Sequence, residues 1–131
     1  MSASQTNEVT ANFPAEVELM LSALEAGAAK QRHNNRGSLR IQYHVYASIQ
    51  LFSDIPGSPP RELYTRDISP KSMGFISRHR LPLGYGGIVE LYDPDGQLVR
   101  IHCTLLRCRE AAPGWYEGAV YFNREQSCFK P

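Results

Sequence analysis

No apolar run in the sequence approaches the roughly 18 residues that a membrane-crossing helix needs, and no charged-then-apolar leader opens it. Neither membrane spanning nor export by a standard signal is expected. A charge imbalance is missing too: 14 basic residues stand against 13 acidic ones, a formal net charge of +1. So nearly neutral a chain has no global field to gather DNA or RNA or to bind an anionic membrane surface, and any anion site has to be local. Cysteine is sparse and odd in number, with Cys103, Cys108 and Cys128 alone. Three such thiols make no disulfide framework and show no metal-ligand pairing, which fits a reducing compartment, so the cytoplasm is the expected location. A catalytic set is also lacking. Ser69 near Asp67 has no histidine in a legible relation, "GYGG" at 84–87 has no Lys-Ser/Thr sequel, and the other acids are scattered. No enzyme is expected.

What is present suffices for one core. The 131 residues are 42% hydrophobic, the size and composition of a single domain. Residues 1–11 are small, polar and aperiodic, and are expected to form a disordered tail. In "NFPAEVELMLSALEAGAAKQ", Asn12 is placed to cap and Pro14 suits a first helical turn. Glu16 and Glu18 favour the positive helix end, and Val17, Met20, Leu21 and Leu24 fall at i, i+3, i+4 and i+7. The spacing predicts an amphipathic helix over about 14–29. Its apolar stripe has three candidate covers: its own domain, a partner, or a second copy of the chain.

From Ser38 the period changes. Leu39, Ile41, Tyr43 and Val45 alternate with Arg40, Gln42, His44 and Tyr46 in a strand reaching Phe52, and "DIPGSPP" then breaks it. Further strand candidates are Arg61 to Arg66, Gly74 to Ser77, Gly87 to Tyr92, Leu98 to Arg109 and Trp115 to Phe122. Six short strands with turn signals between them predict an antiparallel sandwich or small barrel.

Two segments carry chemistry. In "KQRHNNRGSLR", Arg32 and Arg36 stand four apart in a polar, turn-prone stretch. A guanidinium fork can grip a phosphate or the O6/N7 edge of guanine, and its flat face can stack on a base. The plain alternative is a solvated linker. In "YTRDISPKSMGFIS", Asp67 and Ser69 stand at the end of one strand candidate and before another, in a turn containing Pro70 and Gly74. A carboxylate there can accept from the paired N–H donors of guanine, and a serine can donate to phosphate or base. The alternative is a turn whose side chains bond their own backbone.

Together and in this order, these segments resemble the PilZ domain family, best known as receptors for the bacterial second messenger cyclic di-GMP. The resemblance runs from roughly Gln31 to Phe122. It rests on "RHNNR", "RDISPKSMGF", "LPLG" and the closing "RCREAAPGWYEGAVYF". The family's RxxxR maps onto Arg32 and Arg36, and its D/N-x-S-x-x-G onto Asp67 and Ser69. Ser72 stands where the family has glycine, and Gly74 lies two residues on. If that glycine supplies a left-handed backbone, serine costs about 1–2 kcal/mol.

The resemblance implies a mainly β fold, a six-stranded antiparallel barrel with an N-terminal amphipathic helix. It implies a single domain over 12–131, with the helix, a binding arm over about 30–37 and a barrel over about 38–123. The implied function is a non-catalytic receptor whose ligand is cyclic di-GMP, with no cofactor. Arg32 and Arg36 would contact phosphates and guanine, Asp67, Ser69, Ser72 and Gly74 would face a guanine from the barrel, and His33 and Arg66 would add contacts. Arm ordering would then pass to an effector protein through the helix, which could also join two copies. The alternative is a PilZ-type adaptor that binds protein partners without nucleotide, with Ser72 marking a lapsed site.

Overall fold

Period-2 segments here close into a ring. The computed structural model describes residues 13–30 and 40–130, the side chains of 26–30 excepted. The tail, Asn12, Leu39 and the arm with Arg32, His33 and Arg36 lie outside the described residues. Helix α1 (Ala15–Lys30) is followed by β1 (Ile41–Gln42), β2 (Tyr46–Leu51), β3 (Arg61–Ile68), β4 (Ser72–Ser77), β5 (Gly86–Tyr92), β6 (Leu98–Ala112) and β7 (Trp115–Phe122). Antiparallel pairing runs β3-β2-β5-β6-β7-β4 and returns from β4 to β3, so six strands form a barrel without open edges. β1 lies on the same edge of β3 as β2 does. The expected first strand is therefore one path in two pieces, interrupted between Gln42 and Tyr46. Buried Thr65 bridges the gap: its hydroxyl accepts the Val45 N–H at 2.7 Å and donates to the Tyr43 carbonyl.

The alternation settles which side chains face inward. Val45, Ile49, Leu63, Ile68, Phe75, Val89, Ile101, Leu105 and Phe122 fill the barrel. A 3-10 turn at Ser127–Phe129 sends Phe129 into the same core, where its ring lies 5.8 Å from that of Tyr43. This closing segment also grips the β3–β4 turn. The Phe122 N–H donates to the Lys71 carbonyl and the Gln126 N–H to the Pro70 carbonyl, each at 2.7 Å.

α1 covers part of the outside. Its stripe packs on the barrel's outer face, where Val17 and Leu21 are buried with Phe13, Tyr64, Ile76 and Trp115. Burying each such aliphatic side chain contributes about 1.5–3 kcal/mol. Of the three candidate covers, the chain's own barrel takes Val17 and Leu21. Pro14 precedes the helix rather than joining its first turn, and its carbonyl accepts the Glu18 N–H at 3.1 Å.

Strand ends differ from expectation at the second motif. β3 continues to Ile68, so Asp67 lies within a strand, and β4 starts at Ser72, so Gly74 sits in β4 instead of the turn. A bulge between Thr65 and Asp67 explains the longer β3. It reverses the alternation, so that Leu63 and Thr65 point in before it and Ile68 after it, while Arg66 and Asp67 both reach the outer face.

Candidate ligand-binding site

Cross-strand register assembles the site on the outer face of β3, β4, β7 and β6. One row reads Asp67, Gly74, Ala119, Arg107, and the next reads Tyr64, Ile76, Glu117, Arg109. Two residues with little or no side chain thus lie between an acid and a base. Glycine at 74 lets the Asp67 carboxylate lie close: a Cβ there would lie 2.7 Å from Asp67 Oδ1 and 3.7 Å from the Arg66 Cδ, so the carboxylate would have to shift.

Asp67 has a partner that leaves the arm. Arg40 Nη2 lies 2.8 Å from Asp67 Oδ1, and Arg40 Nη1 donates to Ser72 Oγ. The second carboxylate oxygen has Arg66 Nε at 3.8 Å. Ser69 is spent differently. Its buried hydroxyl accepts the N–H groups of Lys71 and Ser72, each at 3.2 Å, and its own N–H donates to the Ser72 carbonyl. Of the two readings of the motif, backbone bonding describes Ser69, while Asp67 offers its carboxylate to side chains. Ser72 does not adopt a left-handed backbone, since among the described residues only glycines have positive φ. The strain considered for serine at that position therefore does not arise. Its hydroxyl, absent from glycine, instead helps to hold Arg40.

Arg66 is no loose strand-end charge. Its side chain is 15% exposed and runs over Gly74 to Glu117 Oε2 at 3.1 Å. Glu117, 1% exposed, is also reached by Arg107 through Nε at 3.1 Å and through Nη2, and by Arg109 Nε at 3.2 Å. Burial alone would raise the Glu117 pKa, yet the bonds and charges of Arg107, with the charges of Arg66 and Arg109, outweigh it and hold the carboxyl below its usual range. Four arginines thus meet two carboxylates on one face, a local excess of positive charge on a chain with almost none overall.

The structure therefore brings together Asp67, Ser69, Ser72, Gly74 and Arg66, while Arg32, Arg36 and His33 lie outside the described residues. Sequence reasoning passed over Arg40, Arg107, Arg109 and Glu117. A signal for Arg40 existed: it follows Arg36 by four, as Arg36 follows Arg32, so the RxxxR spacing occurs twice in overlap. A hollow of about 310 Å³ lies elsewhere, on the β2–β5 flank around Ser48, Glu62, Glu90 and Tyr92. It holds none of the motif residues.

No family model matches the chain, and no curated protein matches it. Solved structures do. The chain is similar to the Bacillus subtilis inhibitor of motility MotI/DgrA, with a TM-score of 0.57 and 9% identity, over 71% of this chain and 44% of that one. The chain thus spans less than half the length of MotI/DgrA. It is similar also to the PilZ domain of CeSA from a cellulose-synthesizing bacterium, with a TM-score of 0.50 and 16% identity, over 69% of this chain and 85% of that one.

Proposed function

Because the chain has the PilZ fold, a closed six-stranded barrel with an N-terminal helix, we propose that it is a non-catalytic receptor for cyclic di-GMP. One observation carries the reading: Arg40, just past the arm, meets Asp67 and Ser72 of the second motif beside Gly74. Arg40, four residues past Arg36, thus shares one outer face with the second motif. In this reading Arg36 and Arg40 act as the arm's working RxxxR pair, with Arg32 one further step out. Asp67 accepts the N1 and N2 hydrogens of guanine through the oxygen that Arg40 leaves open, since a carboxylate accepts several bonds at once. The guanidinium groups take phosphate and guanine acceptors. Ser69 fixes the turn that aims Asp67. The arm joins the barrel to α1, so its closure on ligand is relayed to a partner protein through that helix.

A second reading, an adaptor that binds proteins without nucleotide, draws on the same contact. Arg40 already occupies Asp67 Oδ1 and Ser72 Oγ, at the position where the family has glycine. Calorimetric titration of cyclic di-GMP into the protein, with GTP and linear pGpG as controls, separates the two. Selective heat is expected. No heat at high micromolar ligand, together with an unchanged melting temperature, would overturn the receptor and leave the adaptor.

A further inference from the structure

Glu117 holds more cations than its own neutralisation requires. Arg107 meets it with two donors and Arg66 with a third, and both are at least half buried or nearly so at their contacts. Arg109 is a further cation on the same carboxylate, with 71% of its side chain exposed. An ion pair that open contributes little to stability. Arg109 spends Nε on Glu117, and Arg107 spends Nε and Nη2, so among the described residues the rest of the five donors of each have no protein acceptor. Both lie on β6, on the far side of the Gly74–Ala119 floor from Asp67. At about 4.8 Å per strand step, the three steps from Asp67 to Arg107 span roughly 14 Å, the length of a ligand lying across the sheet over the Arg66 side chain that covers Gly74.

We infer that Arg107 and Arg109, held in place by Glu117, form a second anion subsite that takes a phosphate of the ligand whose guanine Asp67 reads. The inference rests on the receptor reading and adds its other end. Glu117 is the positioning residue, because its carboxylate fixes where the free faces of both guanidinium groups point. A phosphodiester there receives charge-assisted bonds from groups that need no reordering.

The test is titration of cyclic di-GMP into Arg107→Ala, Arg109→Ala and Glu117→Gln, beside Arg40→Ala and Arg100→Ala. Arg100 pairs with Glu90 elsewhere on β6, so its loss removes the same charge far from the floor. Arg107→Ala and Arg109→Ala are each expected to weaken binding roughly tenfold, and Arg100→Ala less than about twofold. Arg109 is exposed enough that its variant folds even if Arg107→Ala does not. Glu117→Gln adds positive charge to the face yet releases the forks, and weaker binding is expected there too. Tighter binding in Glu117→Gln would show that charge alone governs and would remove its positioning role. If Arg40→Ala loses binding while the Arg107 and Arg109 variants keep it, the subsite is wrong and the receptor stands. If the unaltered protein does not bind, the receptor reading falls and the subsite falls with it.

Discussion

Arg40 and Asp67, 27 positions apart in the chain, are joined by an ion pair of 2.8 Å on the outside of the barrel. The pair ties the residue just before β1 to β3, and Ser72 at the start of β4 bonds the same guanidinium. It therefore marks the second motif's contact with the residue four past Arg36, and four outcomes depend on it and its surroundings.

Arg40→Ala should lower affinity for cyclic di-GMP by roughly 5- to 150-fold, the range for a bidentate arginine contact worth about 1–3 kcal/mol. Arg36→Ala and Arg32→Ala should lower it within the same range. The Arg40–Asp67 pair is partly exposed, at 30% and 21%, so folding stability should fall by only about 0.5 kcal/mol. Calorimetry and thermal melting measure the two effects separately. Unchanged affinity in Arg40→Ala would place the ligand on another part of the surface.

Ser72→Gly should bind more tightly, by roughly two- to tenfold, because Arg40 loses a partner that competes with ligand. No backbone strain is relieved, and glycine within a strand costs about 0.5–1 kcal/mol of stability. Tighter binding with a lower melting temperature is the signature. Equal or weaker affinity would mean that Ser72 does not compete for Arg40.

Gly74→Ala should separate binding from folding. The new Cβ falls 2.7 Å from Asp67 Oδ1, so the carboxylate has to swing away from Arg40. A side-chain tip moves cheaply, and the stability change should stay within about 1 kcal/mol. Affinity should fall about tenfold or more. A variant that melts normally and binds normally would remove Asp67 from the site.

Glu117→Gln has a pH signature. Its folded pKa lies below the unfolded value of 4.5, so its stabilisation is fully present above about that pH and is lost as pH falls through the lowered folded value. At pH 7 the variant should be less stable by about 1–3 kcal/mol. The gap should narrow in urea melts run progressively below about pH 4. An equal gap at both ends of that series would show that the charge of Glu117 contributes nothing.

Much of the fold was legible because its cause is local. Alternation of apolar residues with turn signals between them marks strands wherever one face is buried, and 46–51 follows that rule. The bulge before Asp67 was not legible, since nothing in "YTRDIS" says that the alternation reverses there. At the site, Asp67 and Ser69 stand out by type and spacing, but only tertiary pairing assigns one to Arg40 and the other to its own turn. Arg40 looked like the polar face of a strand. Glu117 looked like an ordinary hairpin acid, because its burial depends on arginines from two other strands.

The grip of the closing segment on Pro70 and Lys71 gives the site a mechanical asymmetry. With Phe129 anchored in the core and the turn bonded to the chain that follows β7, the second motif behaves as the fixed jaw of a clasp. In the receptor reading, the side that moves on binding is then the opposite one, where Arg40 stands. On that reading the Arg40–Asp67 pair is the latch of the clasp, the contact that has to open or close when the ligand comes or goes.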